Sequence, residues 1–151
     1  MKAKYWIGAG LTLAIFVATV YMCGARIMIY VDIPSIIVVV LIPAAIAFAS
    51  WPVKDIGRAF AAPFDPKAGK AELAKSAYFM ESLRRWSLYA AALGALVGLI
   101  AILVFMTGFD SERLGRNLGV MLLVLSTSLL LILAFVLPLE SLAKRRLVEL
   151  V

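Results

Sequence analysis

The sequence has no histidine and a single cysteine, Cys23. An internal disulfide is therefore excluded, and so is a His-based or multi-Cys metal site built from this chain alone. Charge is also scarce. Asp, Glu, Lys and Arg make up 16% of the 151 residues, where a soluble domain carries about 25%. The scarcity is uneven. Four runs hold no Asp, Glu, Lys or Arg at all: Tyr5–Cys23, Ile33–Trp51, Trp86–Thr107 and Leu118–Leu139. Proton or cation transfer at membrane depth ordinarily uses an ionisable group placed there. A self-sufficient pump or exchanger is not expected from such runs, and neither is an intramembrane protease. No nucleophile–base pair can be assembled from them, so the chain is not expected to be an enzyme.

What is present is apolar: 64% of residues are hydrophobic and the mean hydropathy is +1.03. This composition predicts an all-α integral membrane protein forming one membrane domain over residues 1–151. The runs Trp86–Thr107 and Leu118–Leu139 are each 22 residues long. As helices they extend about 33 Å, enough for a hydrocarbon core of about 30 Å. Between them lies GFDSERLGRN (Gly108–Asn117), with Asp110, Glu112, Arg113 and Arg116. Charges this dense belong in water, so the pair predicts a transmembrane hairpin.

The first run follows Lys2 and Lys4, which a signal peptide would also show. Tyr21 and Met22 precede Cys23, where signal or lipoprotein cleavage wants small residues, so a retained span is expected. Gly24–Asp32 is a polar interruption. The second run has Pro34 in its first turn, which a helix accepts, and Pro43 inside it, which predicts a kink. Trp51 and Pro52 close it at the interface.

Residues 53–85 form the one long polar segment. Phe64, Asp65, Pro66 and Gly69 mark a turn. Ala71–Arg85 reads as a helix continuing into the third span, with Leu73, Ala77, Met80 and Leu83 on one stripe. That stripe is expected to pack against the chain's own neighbours. The N-terminus, middle segment and C-terminal tail together hold twelve cations, against three in the two short links. By the positive-inside rule both termini and the short helical segment between spans 2 and 3 are cytoplasmic. This accounts for the net charge of +6 without nucleic acid as a partner; the partner it implies is the lipid bilayer.

The third span carries Ser87, Ala91, Gly94, Ala95 and Gly98, small residues at helical spacing that permit close helix approach. The fourth has Ser126, Thr127 and Ser128. Such hydroxyls line a wet path, bond across helices, or bond back to their own helix's carbonyls; the last is the expectation here.

Three stretches resemble the MotA/TolQ/ExbB family of ion-driven motor subunits, MotA in particular. VDIPSIIVVVLIPAAIAFASWPVKDIGRAF (Val31–Phe60) is similar to the second MotA span and its basic exit. GALVGLIAILVFMTGFDSERLGRNLGVMLL (Gly94–Leu123) is similar to the third span, its acidic link and the start of the fourth. VLPLESLAKRR (Val136–Arg146) is similar to the exit of the fourth span. Four spans fit MotA better than the three-span TolQ and ExbB. The resemblance implies a homopentamer in the bacterial inner membrane around two single-span helices of a MotB/ExbD/TolR-like partner. That partner would bring the missing Asp, with a proton or sodium ion as the transported species and no cofactor. It implies pore- or partner-facing positions at Ala91, Gly94, Ala95, Gly98, Val124, Thr127 and Pro138. The sequence departs from the family in a shortened cytoplasmic region. It also has Ala95 where the family's third-span Thr falls, and Val124 and Leu125 where its fourth-span Thr pair falls. Those departures motivate the alternative of a non-conducting oligomeric scaffold.

Overall fold

The computed structural model describes residues 2–105 and 111–150. Among these every regular element is helical. Helix α1 covers Lys2–Met22, α2 Ile33–Ser50, α3 Val53–Ala61, α4 Lys70–Phe105, α5 Ser111–Leu131 and α6 Leu137–Glu149. Short 3₁₀ turns occupy Ile27–Tyr30 and Ala62–Phe64, and a π turn at Ile132–Val136 joins α5 to α6. Four helical stretches are long and apolar enough to cross a membrane: Ala3–Met22, Ile27–Ser50, Lys70–Val104 and Asn117–Glu149. Each contains most of one predicted span. The polar helix does run unbroken into the third, as α4. The expected link at Gly108–Asn117 is shorter than its charge pattern suggested, because α5 already begins at Ser111. Residues 108–110 of that link, and the last two residues of the third span, fall outside the described residues.

Local chemistry sets the helix ends. At the end of α1, Gly24 takes a positive φ of 70°. This lets the Ala25 N–H reach back to the Val20 carbonyl at 3.1 Å, closing helical carbonyls that hydrocarbon could not hydrate. Asp32 caps α2, its Oδ2 accepting the Ser35 N–H at 2.9 Å and also the Ser35 hydroxyl. Pro43 is buried inside α2, which continues through it to Ser50.

The π turn has an identifiable cause. Pro138 has no N–H for the carbonyl four residues back, and its ring crowds that carbonyl. The chain opens by one residue instead, and the Leu137 N–H bonds to the Ile132 carbonyl five positions away. From the neighbouring helix, the Tyr5 hydroxyl donates to the Phe135 carbonyl at 3.3 Å. Helix α1 packs on this turn and on α6.

Helix α4 is the hub, touching α2, α3, α5 and α6. The stripe Leu73, Ala77 and Met80 is buried and Leu83 packs beside it. The largest buried apolar cluster lies at one end of the bundle. Phe79 meets Trp51, Phe60 and Trp86 edge-on, and Tyr5 meets Phe64. Charged groups complete that end. Arg84 pairs with the buried Glu140 at 3.0 Å, and Lys144 bridges Glu140 at 2.7 Å and Glu81 at 3.3 Å. Arg58 grips Glu72 through two hydrogen bonds of 2.9 Å and reaches Asp65 at 2.9 Å. The Ser76 hydroxyl donates to the Ala59 carbonyl at 2.6 Å. Buried Arg146 donates to the carbonyls of Ala62, Pro63 and Asp65 at 3.1, 3.2 and 2.7 Å. The start of α1, residues 53–85 and α6 are thus gathered on the same side of the spans.

Two outcomes follow from these contacts. Arg146→Met leaves three turn carbonyls without their donor, and each charge-assisted bond is worth about 1.5–3 kcal/mol. The variant is expected to lose about 3 kcal/mol or more of stability, seen as a lower melting temperature in detergent and faster proteolysis near residues 62–70. The Asp65 carboxyl is held below the usual carboxylate range, first by the Lys67 N–H and then by Arg58. A lowered carboxylate pKa stabilises the fold above the ordinary value, and that contribution disappears as pH falls through the lowered one. Amide exchange in residues 53–72 is expected to quicken relative to the spans as pH drops below about 4, and Asp65→Asn to blunt the difference.

Candidate functional site

The small face of α4 is where three spans come together. Ala91 is buried against Val39 of α2 and Val124 of α5, with Val38, Ala95, Leu125 and Leu131 packed around them. Gly94 sits at the closest approach. A Cβ there would stand 3.0 Å from Val124 Cγ2 and 3.1 Å from Val38 Cγ1. One turn on, a Cβ at Gly98 would lie 3.4 Å from Met121. The absence of side-chain atoms therefore allows α2 and α5 to seat on α4.

Of the seven positions implied by the resemblance, five meet at this seam: Ala91, Gly94, Ala95, Gly98 and Val124. Ala91 and Val124, at 1% and 5% exposure, are filled in by the chain's own side chains. Thr127 lies partly buried about one turn further along α5. Pro138 stands apart, lining a cleft at the polar end with Lys4, Tyr5 and Ser141. The seam carries one bond that spacing alone did not reveal. The Ser128 hydroxyl reaches across to the Ser87 carbonyl of α4 at 3.0 Å, with both residues buried. Ser128 thus departs from the expected back-bond, whereas Thr12 and Thr19 of α1 do bond to their own helix four residues back. Two hydroxyl-bearing residues on facing spans were visible in the sequence; their pairing needed the helix rotation.

Two open grooves flank the seam. One, of about 500 Å³, lies between α2, α4 and α5, with Pro34, Ser35, Gly94, Gly98 and Asn117 on its walls. The other, of about 300 Å³, lies nearer the polar end between Pro43, Phe48, Phe60, Ser87 and Phe135. Neither has an acidic or basic residue in its lining. Among the described residues no buried side-chain nitrogen or oxygen lacks a partner, and no cluster of three metal-ligating side chains occurs. Their walls are mainly apolar.

The fold and the seam define a class: the chain is a multi-span helical membrane protein. No family model, curated protein or solved structure matches it.

The seam predicts a graded response. Gly94→Leu drives side-chain atoms into Val124 and Val38, and overpacking of this kind costs about 1–3 kcal/mol. Gly98→Ala meets only ordinary contact with Met121 and is expected to stay within about 0.5 kcal/mol of the parent. Thermal unfolding of both variants in one detergent measures the difference.

Proposed function

We propose that the protein is a stator-like subunit of a MotA/TolQ/ExbB-type motor in the bacterial inner membrane. It would couple ion flow to rotation or other mechanical work through a single-span, MotB-like partner. The reading rests on the three resembling stretches, and one structural observation supports it. Helix α4 has 36 residues, about 54 Å of helix, against a hydrocarbon core of about 30 Å. It therefore projects well past the bilayer. The α5–α6 helix follows it out, and Arg84–Glu140 and Lys144–Glu81 tie the two together there. A change in tilt imposed on the spans would be carried outward by this pair as one body. The excess of cations in the N-terminus, middle segment and C-terminal tail supports a cytoplasmic position for that end under the positive-inside rule. The spans supply walls without a carboxylate, so the partner supplies the ion-carrying Asp and the transported species is a proton or sodium ion.

A second reading, an oligomeric scaffold that conducts nothing, has its own support. Val124 stands where the family's hydroxyl pair begins, and it is packed against Ala91 and Val39. No hydroxyl is offered to an ion there.

Native mass spectrometry of the complex, purified gently from its own membranes, discriminates between them. The stator reading expects five copies with two copies of a single-span protein. It also expects an ion flux in vesicles that vanishes when the partner's intramembrane Asp becomes Asn. Five copies with no partner and no flux would support the scaffold. A persistent monomer or dimer would overturn both.

A further inference from the structure

The cleft that contains Pro138 belongs to neither the seam nor its flanking grooves. It has a volume of about 410 Å³ and lies between the start of α1 and α6, lined by Lys4, Tyr5, Ser141, Leu142 and Arg145 among others. Three cations, Lys4, Arg145 and Arg146, border it against one anion, Glu149. Arg146 is committed to the 62–65 carbonyls. Glu149 accepts from Nε of Arg145 at 2.9 Å, which leaves the forked Nη end of a highly exposed guanidinium. That fork matches the oxygens of a phosphodiester. Lys4 stands across the cleft, at the end of the first apolar run. Ser141 also lines the cleft.

The same side of α1 continues towards the middle of the bilayer. A second hollow lies between Thr12, Ile15 and Phe16 of α1, Ser126 and Leu129 of α5 and Leu133 of the π turn. Lys4, Gly8, Thr12 and Ile15 share one helical face, and a Cβ at Gly8 would meet nothing within 4 Å. Gly8 is thus exposed on the face of α1 that carries both hollows. From Lys4 to Phe16 is about 18 Å along the helix, slightly more than half a hydrocarbon core of about 30 Å. This face of α1 is cationic at the Lys4 cleft and apolar at the Ile15 hollow.

We propose that the cleft and the hollow act as one groove along α1 and hold one anionic glycerophospholipid per chain. Its phosphodiester would sit between Lys4 and Arg145, and an acyl chain would lie past Gly8 against Ile15, Leu129 and Leu133. The site is independent of the motor reading and requires only that α1 and α5–α6 span a bilayer.

The test is native mass spectrometry of the full-length protein in detergent, titrated in parallel with dioleoylphosphatidylglycerol and dioleoylphosphatidylcholine. The expected result is preferential retention of one phosphatidylglycerol per chain. Each interfacial cation contributes enough attraction that the double variant Lys4→Gln/Arg145→Gln should bind phosphatidylglycerol about tenfold or more weakly. Gly8→Phe should weaken it too, with no change in charge. Ile15→Trp repeats that arm should Gly8→Phe fail to fold. Lys67→Gln, exposed in the polar turn, should bind like the parent. Equal retention of the two lipids would overturn the proposal. So would unchanged binding in the double variant or in the groove-filling variant. Displacement by millimolar inorganic phosphate would also overturn it, since that would mark a phosphate site without the acyl groove.

Discussion

The placement of Arg146 is the interaction on which the rest of the bundle's polar end depends. Its guanidinium binds carbonyls of the 62–65 turn, and that turn joins α3 to α4. The last helix is thereby fastened to the segment between spans 2 and 3. A buried cation is tolerable only when its donors are met; here backbone carbonyls meet them. Around this point the Glu140 and Glu81 pairs align α6 with α4, and the aromatic contacts of Phe79 and Tyr5 fill the space. The Lys144–Glu81 pair lies near solvent and contributes little by itself, whereas Glu140 is buried and depends on both of its cations. The effect of these pairs is to fix register between helices that the apolar contacts alone would let slide.

Inside the bilayer a different constraint applies: backbone polar groups must be satisfied without water. Two prolines test it. Pro43 is absorbed in the interior of α2. Pro138 forces the π turn, and Tyr5 supplies a hydroxyl to a carbonyl in that turn. This bond lies where α1 meets the bundle, since α1 packs on the π turn and α6. The defect in one helix is thus also where another packs, and Pro138 lines the cleft together with Lys4 and Arg145.

The middle of the bundle is held by shape more than by burial. Lipid tails are as apolar as leucine, so spans gain nothing by hiding leucine from them. Leu96, Val97, Ile100 and Leu103 of α4 are largely exposed, and this needs no partner to explain it. What α4 does gain is close contact through Ala91 and Gly94, together with the Ser128–Ser87 bond in a medium that offers no competing water. A seam made this way is stiff where residues are small and open on either side, which is why grooves flank it.

The number and position of the spans were legible in the sequence, because hydrocarbon excludes charge and the four uncharged runs are each long enough to cross it. The continuity of α4, the Asp32 start of α2 and the inward stripe Leu73–Ala77–Met80 were legible for a similar reason: capping and helical periodicity act over a few residues. The length of the link before α5 was less so, since Glu112, Arg113 and Arg116 suit water equally well on a helix end or in a loop. The small face of α4 could be named, but its partners Val38, Val124 and Met121 could not, nor the pairing of Ser128 with Ser87. Those depend on the rotation of each helix about its axis, and a run that is apolar all round carries almost no information about rotation. The tertiary structure alone decided that Arg146 caps a turn eighty residues away, that Tyr5 completes the π turn, and that Lys4 meets Arg145 across a cleft. Such contacts join distant residues through the packing of whole helices, whereas sequence patterns record what a helix demands of its solvent and of its nearest turns.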